Sequence, residues 1–225
     1  HTKKRSMAED IASQLVNSEI DFFAGGGSDY FNNRDDNRDL ILELEEKNFI
    51  INLNSLPTEM KIDFSKKQGY LLAPKGLPKM LEGRGTFLSD ATTLALEYLS
   101  NNENGFFLMI EGAQIDWGGH DNDADYLISE LIDFDNTIGA VLDFAESNKE
   151  TLVIVTADHE TGGFTLGQDN GNYNKIKPVF STTGHSATMV PVFASGPGAG
   201  LFGSIYENTA IYDKMKSLFF KNNKN

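Results

Sequence analysis

One stretch of the sequence, residues 105–120, joins an apolar run to three side chains that commonly bind metal ions. The run Phe106–Ile110 predicts a fully buried strand, and Glu111, Asp116 and His120 follow it within ten residues. Because Asp116 and His120 are four residues apart, a helical turn would place both side chains on one face. A strand that delivers such ligands at its carboxyl end is typical of metal sites in α/β proteins.

Two further histidines lie near the ends of other predicted strands. Asp158 and His159 follow the apolar run 151–157, and His185 lies in a loop just before the predicted strand 191–196. Open α/β sheets place their sites at the ends of strands, so we expect these side chains to meet the first group. Asp-x-x-x-His alone is a weak signal, but its combination with Asp-His at a strand end and a downstream Gly-His is specific.

The residue types indicate which ions would suit such a site. The chain contains no Cys, so a zinc ion would need His and carboxylate ligands, whereas a position with carboxylates alone suits magnesium. Two ions about 4 Å apart would suit phosphoryl transfer, with one activating the nucleophile and the other the leaving oxygen. Gly118 and Gly119, between Asp116 and His120, are expected to let the backbone bend and a substrate approach.

Helices and strands alternate along the sequence around these segments. Apolar periodicity predicts helices over residues 6–16, 38–47, 89–99, 122–147 and 207–220, with a helical turn over 56–61. Apolar runs predict strands over residues 20–24, 49–53, 69–74, 105–110, 151–157 and 191–196, and residues 163–184 are expected to form a loop or small excursion. This order predicts an α/β fold with a mainly parallel sheet and helices on both faces, in a single domain over 1–225.

Composition excludes several classes of partner. The net charge of −14 and the pI of about 4.6 argue against binding to nucleic acid or to an anionic membrane. No apolar run is long enough to span a membrane, and no signal peptide is visible in the sequence. An acidic protein can still bind a phosphate group where metal ions supply the local positive charge.

The segments MIEGAQIDWGGH, VTADHETGG and TTGHS resemble the metal-binding segments of alkaline phosphatases. The opening His1-x-x-x-Arg5 and the GGGSDYF stretch after the first predicted strand also match, so the resemblance covers essentially the whole chain. It implies an alkaline-phosphatase-like fold and a role for each candidate side chain. By this resemblance, the first zinc would be bound by Asp116, His120 and His185, and the second zinc by Asp158 and His159. Magnesium would be bound by Glu111, and the substrate phosphate by the guanidinium of Arg5.

The family's nucleophile has no counterpart in the sequence. Alkaline phosphatases attack phosphorus with a Ser in an Asp-Ser-Ala-like motif, and no such motif occurs here. The chain is therefore expected to be the C-terminal portion of such a protein, incomplete as a fold and inactive by itself. The resemblance further implies that the complete protein hydrolyses small phosphate monoesters through a phosphoserine, forms a homo-oligomer (a dimer) and is periplasmic or secreted.

Two other interpretations share part of this pattern. A related metallohydrolase, of the phosphodiesterase, sulfatase or cofactor-independent mutase type, would use similar ligands, although the GGG stretch and His1-x-x-x-Arg5 favour a phosphomonoesterase. A fragment that binds metal and catalyses nothing is the non-enzymatic alternative. Asp121, Asp123 and Asp125 resemble a calcium loop only superficially, since Tyr126 stands where that loop needs Gly, and we predict a solvated helix start there.

Overall fold

The computed structural model describes residues 2–57 and 62–220. The chain divides into two compact units, His1–Ile110 and Glu111–Asn225. The predicted helical turn over 56–61 falls largely outside the described residues, as does His1, the first residue of the His-x-x-x-Arg match. The prediction of a single domain over 1–225 stays a prediction.

The first unit is built on a three-stranded parallel sheet in the order β1-β3-β2. Its strands are β1 Phe22–Gly25, β2 Phe49–Asn52 and β3 Lys67–Leu71. Its helices are α1 Ala8–Val16, α2 Asp29–Asn32, α3 Leu40–Glu46 and α4 Phe87–Leu99, with a 3-10 helix at Met80–Glu82. Each predicted helix or strand of residues 1–99 that lies in the described part is confirmed within two or three residues, and α2 was not predicted.

Helices cover both faces of this sheet. Successive side chains of a strand point to opposite faces, and the aromatic contacts of β1 follow that rule. The ring centroid of Phe22 lies 6.1 Å from that of Tyr98 in α4, whereas the ring centroid of Phe23 lies 6.3 Å from that of Phe31 in α2. The main core of the unit is on the α2 side, where Leu40 and other apolar residues of α1, α2, α3 and the sheet are buried together. The α/β class is thereby confirmed, with helices on both faces of a parallel sheet.

A buried guanidinium connects helices α1 and α2 of this unit. Only 2% of the Arg34 side chain is exposed, and it donates to the carboxylate of Asp36 at 2.8 and 2.5 Å. It also donates to the carbonyl oxygens of Glu9 and Tyr30 at 2.9 and 2.8 Å, and to the hydroxyl of Ser13 at 3.1 Å. All five N–H groups of the guanidinium therefore have partners. The hydrogen bond from Arg34 lowers the pKa of Asp36 to about 2.

The prediction of a fully buried strand at Phe106–Ile110 is wrong for the structure. No described strand pairs with this segment, and Phe107 and Met109 are 64% and 74% exposed. Phe106, Leu108 and Ile110, in alternation with them, are half-buried. An apolar run becomes a central strand only where neighbouring strands satisfy both of its edges and other elements cover both faces. Neither condition is met here, so hydrophobicity alone misleads.

The second unit begins with two helices, α5 Gln114–His120 and α6 Ala124–Asn148, and contains α7 Ala210–Phe219 near its end. Asp123 accepts a hydrogen bond from the Tyr126 backbone N–H and caps α6, which confirms the predicted helix start. Within the described part of the chain, no helix combines the length and the apolar character needed to cross a membrane.

Strands in the second unit form antiparallel pairs. β4 Val153–Thr156 pairs with β9 Val192–Ser195, and β5 Glu160–Thr161 pairs with β8 His185–Ser186. The region predicted as a loop or small excursion contains a hairpin, β6 Thr165–Asp169 with β7 Asn172–Val179. A 3-10 helix at Ala199–Phe202 follows β9. The pair of β5 with β8 contains His185, and His159 directly precedes β5.

Candidate metal centre

Helix α5 places two of the predicted ligands together. Asp116 and His120 both lie in α5, and His120 Nε2 is 3.4 Å from Asp116 Oδ1. The four-residue spacing therefore puts both side chains on one face, as the sequence predicted. The helix is short, and it is held by extensive packing against α6.

The third predicted ligand, His185, lies in β8 and is positioned by the pairing of this strand with β5. His185 pairs with Thr161 across this two-residue ladder, and Glu160 pairs with Ser186. The Ser186 hydroxyl donates to Glu160 Oε2, and the Phe164 N–H donates to Glu160 Oε1 at 3.0 Å. The hydrogen bond from Ser186 lowers the pKa of Glu160 and keeps this residue an acceptor. The strand bearing His185 is thus held by side-chain as well as backbone bonds.

Three ligand atoms converge at distances that suit one ion. His185 Nε2 lies 3.5 Å from Asp116 Oδ1 and 3.1 Å from His120 Nε2. Ligand atoms at 2.0–2.1 Å from a tetrahedral zinc ion are about 3.3–3.4 Å apart. Among the described residues, Asp116, His120 and His185 form the one group of three or more His, Asp or Glu side chains with its ligand atoms so close together.

The hydrogen bond on the far side of His120 fits metal binding. His120 Nδ1 lies 2.6 Å from the Thr183 carbonyl oxygen, which can only accept, so Nδ1 carries the proton and donates. In the neutral ring, Nε2 then presents a lone pair to the nitrogen of His185 and to the carboxylate of Asp116. Such groups repel one another unless a cation or a proton lies between them. A carbonyl behind a histidine ligand is also the arrangement that fixes the ring tautomer in metal sites.

A second pair of predicted ligands lies beside this trio. The imidazole of His159 stacks on that of His185, with ring centroids 3.5 Å apart and an angle of 19° between the planes. His159 Nε2 is 3.2 Å from Asp158 Oδ2. The Asp158 side chain is 84% exposed. The pair is therefore accessible from solvent and adjacent to the trio through the stacked rings.

The two remaining predicted residues lie outside the trio. Glu111 is exposed, immediately after Ile110, and is not part of the three-residue group. Arg5 is exposed in a turn that precedes α1 of the first unit. The assignments of Glu111 to magnesium and of Arg5 to the substrate phosphate stay predictions.

The sequence did not single out Thr161, Thr183, or the pairing of Glu160 with Ser186. Thr161 Oγ1 donates to Asp116 Oδ1 at 2.5 Å, and the Thr183 carbonyl accepts from His120. Sequence adjacency is the one available hint, because Thr161 follows Asp158-His159 and Thr183 precedes His185 by two residues. A backbone acceptor carries no residue-type signal at all.

The glycines of α5 have a different role from the one predicted. Both Gly118 and Gly119 are buried inside the helix. A Cβ at Gly118 would lie 2.7 Å from the backbone N and Cα of Leu127, and one at Gly119 would lie 2.9 Å from the Thr161 carbonyl oxygen. The expectation that they allow a bend and a substrate approach is therefore wrong: they allow α6 and β5 to pack closely against the helix.

We expect Gly118→Ala to lower the free energy of unfolding by about 1–3 kcal/mol, the usual cost of overpacking. The new methyl group meets backbone atoms of α6 that cannot rotate away, so α5 must move, and zinc affinity should fall with it. Chemical denaturation would measure the first effect and titration with zinc the second.

Gly139→Ala is the matched control, because Gly139 is exposed in α6 with nothing within 4 Å of its added Cβ. It should raise stability by about 0.5–1 kcal/mol through helix propensity. Equal stabilities for the two alanine variants would contradict the packing role of Gly118.

Fold and site together define an α/β protein with a histidine and carboxylate group of the kind that holds metal ions. The chain belongs to the alkaline phosphatase family, because the model of that family, described as "Alkaline phosphatase", matches residues 1–179. His185 lies beyond the matched residues, and its place in the trio comes from the distances described above.

Known relatives extend this result. Alkaline phosphatase 3 of Bacillus subtilis (strain 168) is 40% identical over 180 residues, which are 77% of this chain and 38% of that protein. The structure of alkaline phosphatase from the Antarctic bacterium TAB5 matches with a TM-score of 0.94 and 49% identity, over 100% of this chain and 67% of that one. A TAB5 variant described with Mg bound in its M3 site matches over the same shares with a TM-score of 0.93 and 48% identity. The chain thus spans less than half the length of that curated relative.

Proposed function

We propose that this chain supplies the metal-binding part of a phosphate monoester hydrolase of the alkaline phosphatase type. One observation carries the proposal: Asp116 Oδ1, His120 Nε2 and His185 Nε2 lie 3.1–3.5 Å apart, within a chain of that family. The donor set of two imidazoles and one carboxylate without thiolate favours zinc at this position.

A zinc ion held by Asp116, His120 and His185 would supply Lewis acidity that stabilises the negative charge of a leaving oxygen. The side chains of the chain itself bind and orient. The Thr183 carbonyl and the Thr161 hydroxyl fix two of the three ligands, and the β5–β8 ladder fixes the third. The three ligand atoms therefore lie close together without a bound ion.

The remaining assignments follow the family resemblance. Asp158 and His159 would contribute to a second zinc position, and Glu111 would contribute to a magnesium position. A family neighbour described with bound Mg supports a magnesium requirement. Arg5 would grip two oxygens of the substrate phosphate with its guanidinium. In a chain of net charge −14, these cations would offset the repulsion of a phosphate ester.

The nucleophile is proposed to come from a segment that this sequence does not contain. The family's phosphoserine chemistry needs a Ser, and no Asp-Ser-Ala-like motif occurs among the 225 residues. The chain alone is therefore proposed to bind metal without turning over substrate. Small phosphate monoesters as substrates, a homodimer and a periplasmic or secreted location are proposed for the complete protein on the same basis.

We expect the purified 225-residue chain to hydrolyse p-nitrophenyl phosphate no faster than buffer does, with zinc and magnesium present. The physical reason is the missing nucleophile, whereas zinc should still bind. The assay needs mass spectrometry to exclude longer phosphatases, with Asp116→Asn as the control. Zinc-dependent turnover that Asp116→Asn removes would contradict the proposed inactivity.

A polypeptide that carries this sequence together with the family's remaining segments tests the reaction class. It should prefer p-nitrophenyl phosphate to bis-p-nitrophenyl phosphate, because a guanidinium and two cations suit a phosphate dianion. A preference for the diester would favour a phosphodiesterase. A preference for p-nitrophenyl sulfate would favour a sulfatase.

A further inference from the structure

Thr161 lies between two groups of proposed metal ligands. Its hydroxyl oxygen is 2.5 Å from Asp116 Oδ1, in the trio, and 3.2 Å from His159 Nδ1, in the neighbouring pair. The residue is part-buried, and its backbone pairs with His185 across the β5–β8 ladder. Thr161 therefore touches or pairs with a proposed ligand from each of three chain segments.

The proton positions in this contact follow by elimination. A hydroxyl has one hydrogen, and the short distance to the Asp116 carboxylate assigns it to that bond. The Thr161 oxygen can then only accept from His159, so His159 Nδ1 carries a hydrogen when these two groups bond. His159 Nε2 also faces an acceptor, Asp158 Oδ2 at 3.2 Å, so a neutral ring keeps its hydrogen on Nδ1 only where a cation lies between Nε2 and this carboxylate. One hydroxyl thus orients a carboxylate and provides the acceptor for one imidazole nitrogen.

Packing holds the hydroxyl in this place. A Cβ on Gly119 would lie 3.0 Å from Thr161 Cβ and Cγ2, so helix α5 is in close contact with this side chain. The Gly162 N–H donates to the Gly184 carbonyl at 2.9 Å and closes the loop behind it. These contacts restrict the movement of Thr161 relative to α5 and to the ladder.

We infer that Thr161 is a positioning residue that couples the two zinc positions, by donating to a ligand of one and accepting from a ligand of the other. This inference rests on the proposed function, because it presupposes zinc at both positions. Such outer partners orient ligands and raise metal affinity, and their loss typically costs about 10–100-fold in affinity. Coupling means that an ion at one position favours the productive orientation of a ligand at the other.

Three variants of the 225-residue chain test the inference. Thr161→Val keeps the shape and removes the hydroxyl, Thr161→Ser keeps the hydroxyl, and Thr165→Val makes the same change at an exposed threonine of β6. Chelator competition would give the affinities of the first and second zinc equivalents. We expect Thr161→Val to lower these zinc affinities by about 10–100-fold. Thr161→Ser and Thr165→Val should bind zinc as the parent chain does.

A readout without metal separates positioning from simple folding. Long-range proton–nitrogen NMR spectra of the apo chain report the tautomer of each imidazole. In the parent chain and in Thr161→Ser, His159 Nδ1 should carry a hydrogen. In Thr161→Val, where Nδ1 has lost its acceptor, the hydrogen should shift to Nε2, which still faces Asp158. Should Thr161→Val not fold, Thr161→Ala carries the same expectation.

The outcomes distinguish this inference from the proposed function. If the parent chain binds no zinc, and Asp116→Asn changes nothing, the proposed metal centre is wrong. If the parent chain binds zinc through Asp116 while Thr161→Val matches Thr161→Ser in affinity and in the His159 tautomer, the metal centre stands and the coupling role is overturned.

Discussion

Replacement of Asp116 by Asn is expected to abolish zinc binding at the trio. Asn has almost the same shape, but its amide is neutral, and Asp116 is the one carboxylate among the three ligands. The loss should exceed the roughly 10–100-fold that removal of an outer partner costs, since a charged ligand is itself removed. Isothermal titration of the metal-free chain with zinc, and anomalous scattering from crystals at the zinc edge, would measure it.

Asp125→Asn is the matched control for this change. Asp125 is exposed in the first turn of α6 and is not part of the trio, so the variant makes the same chemical change without touching a proposed ligand. It should bind zinc as the parent chain does. An anomalous peak elsewhere in the parent chain, with the Asp116, His120 and His185 side chains unoccupied, would count against the assignment.

Replacement of Arg34 by Met should lower the free energy of unfolding by about 3 kcal/mol. Removing one partner of a buried ion pair typically costs about 3–5 kcal/mol. The lower end is expected because Asp36 is 42% exposed and can be hydrated once the guanidinium is gone. The carbonyl oxygens of Glu9 and Tyr30 would lose a charged donor inside the unit. Urea denaturation with a fluorescence or circular dichroism signal would measure the change.

Arg38→Met provides the comparison. Arg38 forms a two-point ion pair with Glu43 at 2.8 and 2.6 Å, but its side chain is exposed, and such pairs contribute little to stability. The same substitution four residues away should therefore have a much smaller effect. Similar losses in both variants would show that the buried network around Arg34 does not stabilise the unit as its contacts indicate.

The sequence predicted which side chains of the candidate site lie close together, although it did not predict all of the structure around them. The spacing of Asp116 and His120, and the placement of His159 and His185 near strand ends, were enough to expect that these side chains meet. The strand at Phe106–Ile110 failed because burial depends on partners that hydrophobicity cannot reveal. The antiparallel pairing of β5 with β8 depends on contacts between residues about 25 positions apart, which no local pattern encodes.

Other parts of the site depend on precise geometry. The role of Thr161 follows from the position of one hydroxyl, and that of Thr183 from a backbone carbonyl, so residue type says little about either. Gly118 and Gly119 were correctly marked as unusual, but glycine permits both a bend and close packing. Only the position of Leu127 on α6 decides between the two.

The hairpin of β6 and β7 lies in the chain between the two strands that bear the trio's third ligand and its ladder partner. Backbone bonds from Gly162 to Gly184, and from Ser181 to Gly162, close the base of this excursion before the hairpin begins. Because loop closure depends only weakly on loop length, evolution could lengthen, shorten or replace the hairpin with little effect on the distances between ligand atoms. Homologues could therefore differ in this hairpin, and so in the surface near the metal centre, while the positions of the ligand atoms stay the same.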